Sequence, residues 1–267
     1  MRWMLPLAFL ALTSACLEPP ALRPRDPTPG VPYITVTTFN VDLHRFDDEP
    51  TVLAVGETGA DVLALQEVSE GWQAVIQARY MDRYPYMAFA GEASGGLAIL
   101  SRHPFEDRGV IEGVDGWHPA WHIVVLGPTG PLQLLLVHLR PPYNARTGID
   151  GVLTVDEDHL QEVRAFSEPC ADGVPTIVLG DFNESLDGAG LTYLEEQGFR
   201  NVLPLFRPGQ ETWRYQAALY GQTVDTIDHI LYDPSTLAPL NAWVRYDGNS
   251  DHLPVTAVFE LTTAPGR

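Results

Sequence analysis

Short apolar runs recur along this sequence, and several of them stop at, or start from, a polar group. "ITVTTF" is followed by Asn40 and Asp42, and "DVLALQ" by Glu67. "LQLLLV" ends in His138, and "TIVLG" ends in Asp181 and Asn183. Asp228 and His229 sit inside "TVDTIDHILYD", and Asp251 and His252 precede "LPVTAVF". Runs this short, rich in β-branched residues and bounded by turn residues, read as strands. Residues two apart on a strand share a face. Asn40 with Asp42, and Asp181 with Asn183, can therefore each aim two oxygen-bearing groups at one point.

The rest of the chain supports a β-rich architecture with few helices. "YITVTTFN", "GGLAILS", "WHIVVLG", "AWVRYD" and "PVTAVFEL" also read as strands. Helices are expected near 49–59, 69–80 (Trp72, Val75 and Ile76 inward) and 187–197, and over "VDEDHLQEVRAFSEP" with Leu160, Val163 and Phe166 inward. Strands this numerous, with few helices between them, predict two packed mixed sheets covered by helices.

The first residues read as a targeting segment rather than as fold. Arg2 precedes the apolar stretch "MLPLAFLAL", which is too short to span a bilayer. Residues 1–15 are read as a signal peptide. "LTSAC" resembles a bacterial lipoprotein lipobox, with Thr13 where leucine is usual, and lipidation at Cys16 would anchor the protein to a membrane. The rival reading is cleavage after Ala15, with Cys16 free to pair with Cys170. Residues 16–32 are Pro-rich and suit a tether. The folded domain is expected over 33–262, with a tail at 263–267. The protein is expected to be exported, to the outer membrane or cell surface if lipidated and otherwise to the periplasm or medium, and to act as a monomer.

Charge limits the partners. The chain has 16 Arg, no Lys and 35 acids; removal of the signal takes Arg2 and leaves 15 cations against 35 acids, a formal charge of −20. That argues against a general nucleic-acid-binding surface, because phosphate backbones are held by cations. Arg102, Arg140 and Arg146 are the candidates for holding a substrate phosphate locally.

Glu67, Asp181, Asp228 and Asp251 form a set of carboxylates whose convergence is costly unless a cation joins them. Oxygen ligands without a cysteine cluster select a hard ion, Mg²⁺ or else Mn²⁺ or Ca²⁺. Histidines beside such an ion can donate to a phosphate or move a proton. Each polar strand end, taken alone, also fits turn chemistry. His44, His103, His118, His122 and His159 are read as surface or core residues, and Trp117 and Trp121 as packing.

Taken in order, the segments resemble the endonuclease/exonuclease/phosphatase superfamily. "TFNVD" with Asn40 is similar to its first metal-side motif, and "ALQEV" with Glu67 to its metal-ligand glutamate motif. "GGLAILSRHPF" is similar to the strand leading to SR-x-P, "VHL" to the phosphate-side histidine motif (His138), and "GDFN" to the motif of Asp181 and Asn183. "IDHIL" and "SDHLPV" match the late aspartate, Asp228, and the closing pair, Asp251 and His252. The matches run from about 33 to 261.

The resemblance implies an α/β (α+β) four-layered sandwich and a metal-dependent phosphoric ester hydrolase. It implies a metal held by Glu67 with Asn40 and Asp251, and catalysis by His138, Asp181, Asn183, Asp228 and His252. The expected reaction is in-line attack of water on a phosphodiester, with nucleic acid or a nucleotide as substrate. A lipid-headgroup or small-molecule phosphatase and a non-catalytic binding lipoprotein are the alternatives. One place departs from the deoxyribonuclease-like pattern. The glutamate that pairs with the His138 equivalent is replaced by "SGG", and the nearest acid is Glu92.

Overall fold

The structure is a computed structural model that describes residues 20–143, 148–170, 173–217 and 221–262. The signal segment, Cys16, Arg146 and the tail lie outside the described residues.

The chain forms β1 (Tyr33–Asn40), α1 (Glu49–Glu57), β2 (Val62–Gln66), α2 (Glu70–Tyr80), β3 (Tyr86–Ala90) and β4 (Leu97–Ser101). There follow β5 (Phe105–Ile111), β6 (Ala120–Gly127), β7 (Gly130–His138), α3 (Ile149–Ser167), β8 (Thr176–Asp181), α4 (Ala189–Glu196), β9 (Arg200–Asn201) and α5 (Val202–Phe206). The described chain closes with β10 (Trp213–Ala217), β11 (Gly221–Asp225), β12 (Asp228–Tyr232), β13 (Leu237–Val244) and β14 (Val255–Leu261). One six-stranded sheet has the order β13-β14-β1-β2-β4-β3, and the other β5-β6-β7-β8-β12-β9. β10 and β11 pair as a separate hairpin. Each large sheet contains a parallel pair, β1 with β2 and β7 with β8.

Three apolar slabs define four layers. The central slab lies between the sheets and includes Val36, Ile99, Leu134, Leu179, Ile230 and Phe259. The second joins the first sheet to α1 and α2 through Val52, Val55, Leu63, Trp72 and Ile76. The third joins the other sheet to α3 and α4 through Leu135, Val163, Phe166, Val178 and Leu194. β2 and β8 are buried along their whole length, as strands covered on both faces must be. That is why their sequences read as apolar runs rather than as alternation.

Local chemistry sets the helix starts. The Asp48 carboxylate accepts from the Thr51 N–H at 3.0 Å, and Pro50 occupies the first turn of α1. The Ser69 hydroxyl caps α2 through the Trp72 N–H at 3.4 Å. In α3 the inward set differs slightly from the expectation. Val163 and Phe166 are buried, but His159 is buried more completely than Leu160.

The described part of the Pro-rich segment, 20–32, has no helix or strand, yet it is bonded to the domain. The Leu22 N–H donates to the Leu205 carbonyl at 2.6 Å and the Arg25 N–H to the Leu240 carbonyl at 3.0 Å. The Glu260 carboxylate accepts from the Thr28 N–H (3.0 Å), the Thr28 hydroxyl (3.1 Å) and Arg25 (2.7 Å).

Candidate active site

Strand register assembles one row of functional groups. In the parallel β7–β8 pair His138 stands opposite Asp181, and in the antiparallel β8–β12 pair Asp181 stands opposite Asp228. In the other sheet Asn40 pairs with Gln66, so Glu67 follows directly at the same end. Gly180 allows the close approach in the first row. Its φ is +152°, and a Cβ there would meet the Val137 carbonyl oxygen at 1.9 Å.

Asp181 is the buried hub. Its Oδ1 accepts from the Asn183 N–H at 2.9 Å, and its Oδ2 accepts from the Asn40 amide at 3.0 Å. Two imidazoles aim at that same Oδ2: His138 Nε2 at 3.5 Å and His252 Nε2 at 3.6 Å. Burial alone would favour the neutral acid, but His252, the Asn40 amide and the Asn183 N–H together hold the Asp181 carboxyl below its usual range. The Asn183 side chain donates to the Leu139 carbonyl at 2.9 Å, so Asn183 steadies the loop while its backbone holds Asp181.

The two histidines sit in opposite electrostatic settings. His252 Nδ1 lies 3.0 Å from both oxygens of Asp228. Burial opposes its charge, yet Asp228 and Asp181 push it up to about 10; the proton of the pair resides on the imidazole. Asp228 itself is pushed up to about 6, by burial first, with His252 acting the other way. His138 donates from Nδ1 to the Ser94 carbonyl at 3.0 Å, the place where a glutamate pairs in the deoxyribonuclease-like pattern. Burial pushes His138 down and outweighs Asp181, so it is neutral. Glu92 is solvent-exposed. The "SGG" turn is closely packed instead: a Cβ on Gly96 would meet the Val68 carbonyl oxygen at 2.1 Å.

Glu67 is half-buried, in a left-handed backbone conformation (φ +59°) that Asp42, on the same cavity, and Asn183 also adopt. Asp and Asn adopt that conformation more readily than Glu, so the strain falls mainly on Glu67. Its Oε1 accepts from the Asn40 amide at 3.2 Å and its Oε2 from the Leu43 N–H at 3.0 Å. Among the described residues no cationic side chain neutralises it. It lines one cavity of about 550 Å³ with Asp42, Asp251 and His252. The carboxylates of Asp42, Glu67 and Asp251 on this cavity offer hard oxygen ligands of the kind a divalent cation takes. Asp181, Asp228 and His252 also place ligand-type atoms within 4.8 Å of one another. Within that group Asp228 is already bonded to His252, whereas Glu67 and Asp251 are carboxylates that line the cavity.

Two expected phosphate contacts are corrected. Arg102 bonds Asp61 at 3.3 Å, at the end of β2 opposite Glu67. Arg140 is buried and each of its three nitrogens has a partner: Nε has Glu162 at 2.7 Å, Nη1 has Asp158 at 3.2 Å, and Nη2 has the Val114 carbonyl at 3.3 Å. Neither faces the cavity. A run of charged and polar residues gave no way to see these partners in advance.

Other residues at the site carried no signal in the sequence. His118 lies against His138, ring centres 4.1 Å apart, and burial pushes it down to about 3. Trp213 donates from its indole to Asp251 at 3.0 Å. Arg45, Arg214 and Tyr215 line the same cavity as Glu67.

A sandwich of two mixed sheets, with this row at one end, is the architecture of a metal-dependent phosphoesterase. Residues 37–252 match the endonuclease/exonuclease/phosphatase family, and the chain belongs to that family. Its fold is shared with an endonuclease/exonuclease/phosphatase from Beutenbergia cavernae (19% identity, 88% of this chain and 73% of that one, TM-score 0.69). It is also shared with an AP endonuclease from Archaeoglobus fulgidus (18%, 85% and 99%, 0.64) and with D. rerio TDP2 complexed with single-strand DNA product (14%, 85% and 98%, 0.65). The protein is therefore a phosphoric ester hydrolase of a divalent-metal-dependent family.

Proposed function

We propose that this protein is an extracytoplasmic phosphodiesterase that cleaves its substrate by in-line attack of water. The observation that carries the reading is the convergence on Asp181 Oδ2 of Asn40, His138 and His252. A buried carboxylate that accepts from the Asn40 amide and the Asn183 N–H and faces the charged His252 stays ionised and is a base aimed at one point. Water placed there loses its proton to Asp181 as its oxygen bonds phosphorus, and the bond to the leaving oxygen breaks on the far side. His252, charged and braced by Asp228, donates to a phosphate oxygen as negative charge accumulates. His138, fixed by the Ser94 carbonyl and backed by His118, presents a neutral Nε2 on the other side of the same oxygen. Mg²⁺, Mn²⁺ or Ca²⁺ held by Glu67, Asn40 and Asp251 would supply Lewis-acid stabilisation of the phosphate and leaving oxygen.

The nucleic acid bound to the TDP2 relative supports a phosphodiester substrate. The amino-terminal sequence supports export, with Cys16 as the lipid attachment point. Hydrolysis of bis(p-nitrophenyl) phosphate with each metal tests the activity. Asp181→Asn is expected to lose at least about 10³-fold, on the scale of losing a positioned base; an active Asp181→Asn variant would overturn the mechanism. Incorporation of labelled palmitate in the wild type, absent in Cys16→Ser, tests the anchor.

A further inference from the structure

The β10–β11 hairpin belongs to neither large sheet and stands beside the catalytic cavity. Its base is fixed to the site. The Trp213 indole donates to the Asp251 carboxylate at 3.0 Å, the Arg214 N–H to the Asp251 carbonyl at 2.7 Å, and the Leu253 N–H to the Thr212 carbonyl at 2.7 Å. From that base Arg214 and Tyr215 line the cavity that also holds Glu67, Asp251 and His252.

These two side chains offer different chemistry. The Tyr215 ring lies parallel to Trp213 (3°, centres 5.8 Å apart), yet Tyr215 is 51% exposed. A ring backed by a second ring and open to solvent is a rigid platform for a planar group. The Arg214 guanidinium lies 5.1 Å from the centre of the Tyr246 ring and has no carboxylate partner among the described residues. Arg45, the other arginine on this cavity, is bonded to Asp42 at 3.1 Å. A chain with 35 acids and 16 arginines has counter-ions to spare, so a cation without one at the catalytic mouth is available to an external anion. The same charge repels a quaternary ammonium headgroup.

We propose that Arg214 and Tyr215 form a specificity subsite for a nucleotide unit next to the scissile phosphodiester. Tyr215 takes the face of the base and Arg214 takes the neighbouring phosphate. This rests on the phosphodiesterase reading and narrows its substrate to one or two nucleotides of a single strand or a free dinucleotide. A duplex needs several phosphate contacts, which this acidic surface does not offer.

The test compares three substrates on the full-length enzyme with Mg²⁺ or Mn²⁺: 5′-phosphorylated thymidine dinucleotide, the same dinucleotide without the 5′-phosphate, and bis(p-nitrophenyl) phosphate. The wild type should favour the phosphorylated dinucleotide at least about tenfold in kcat/KM, on the scale of one charged contact. Arg214→Gln should bring that ratio to near one. The ratio is measured on one preparation and does not depend on how much enzyme folds. Tyr215→Ala should lower both dinucleotide rates relative to bis(p-nitrophenyl) phosphate about tenfold, and Tyr215→Phe should not.

A wild-type ratio near one, an unchanged ratio in Arg214→Gln, or faster cleavage of duplex than of single-stranded oligothymidylate overturns the subsite. So does cleavage of bis(p-nitrophenyl) phosphate without cleavage of either dinucleotide. Failure to cleave any of the three removes the phosphodiesterase reading itself, and the subsite with it.

Discussion

The Asn40 amide nitrogen lies 3.2 Å from Glu67 Oε1 and 3.0 Å from Asp181 Oδ2. One carboxamide therefore ties the half of the site suited to a cation to the half suited to a water. The two carboxylates come from different sheets, and Asn40 is the side chain that bonds both. Its removal should act on turnover more than on fold. Asn40→Ala is expected to lower kcat by about 10²-fold, as for loss of one preorganised donor. Parallel measurement of kcat and melting temperature checks this, and a collapse of stability without a kinetic defect in the remaining folded enzyme would refute it.

Asp228 sets an acid limit. Its carboxyl is pushed up to about 6, and protonation removes the anion that braces His252. Activity should be present above that value and fall as pH drops through it. Asp228→Asn should lose activity at every pH and abolish this limb of the rate profile. A wild-type profile flat from pH 7 to 4.5 would refute the assignment.

Cation binding should appear as stabilisation. A cation present at 100 times its dissociation constant adds about 2.7 kcal/mol to the folded state. Chelation with EDTA should lower the melting temperature, and Mg²⁺ or Mn²⁺ should restore it. Glu67→Gln should remove most of that metal-dependent increment while folding normally, because the amide keeps the size of the side chain.

His159 makes stability depend on pH. Its Nδ1 lies 3.1 Å from Glu184 and its Nε2 2.7 Å from the Arg140 carbonyl. Burial opposes the charged form, but Glu184 and the Arg140 carbonyl leave its pKa raised above 6.5. A raised folded pKa means that the stabilisation is complete below the unfolded value and fades as pH climbs through the folded one. The gap in melting temperature between wild type and His159→Gln should be wider at pH 6 than at pH 9. A gap that widens toward pH 9 would reverse the sign.

The amino-terminal strap should contribute modestly. Glu260→Ala leaves the Thr28 N–H and Arg25 without their acceptor, at about 1 kcal/mol, or roughly 2–4 °C in melting temperature for a domain of this size. Arg25→Ala should cost less, because Arg25 is largely exposed. Equal costs would mean that the ion pair rather than the Thr28 bonds holds the segment.

Much of this architecture is legible in the sequence because burial on both faces turns β2, β7 and β8 into apolar runs whose polar ends stand out. "DVLALQE" and "TIVLGDFN" carry their own boundaries. The β10–β11 hairpin does not: "WRYQA" and "GQTVD" are largely polar, and the hairpin's base is anchored by Asp251, 38 residues from Trp213. α5 was unreadable for a similar reason, since "VLPLF" is short and contains Pro204. Among the site residues, carboxylates and carboxamides at strand ends were visible. His118 was not, because its place against His138 depends on the turn at Ser94–Gly96, far away in sequence. Arg140 misled because an arginine beside a motif histidine looks like a phosphate clamp until Glu162 and Asp158 are seen to claim it.

The tight packing at Gly96 has an evolutionary corollary. The backbone oxygen of Val68 fills the volume that any larger residue would need there. A lineage carrying this turn cannot place an acidic side chain at Gly96 by a point mutation without displacing the segment that follows Glu67. The partner that His138 has instead is the backbone carbonyl of Ser94, which a substitution of that side chain leaves in place.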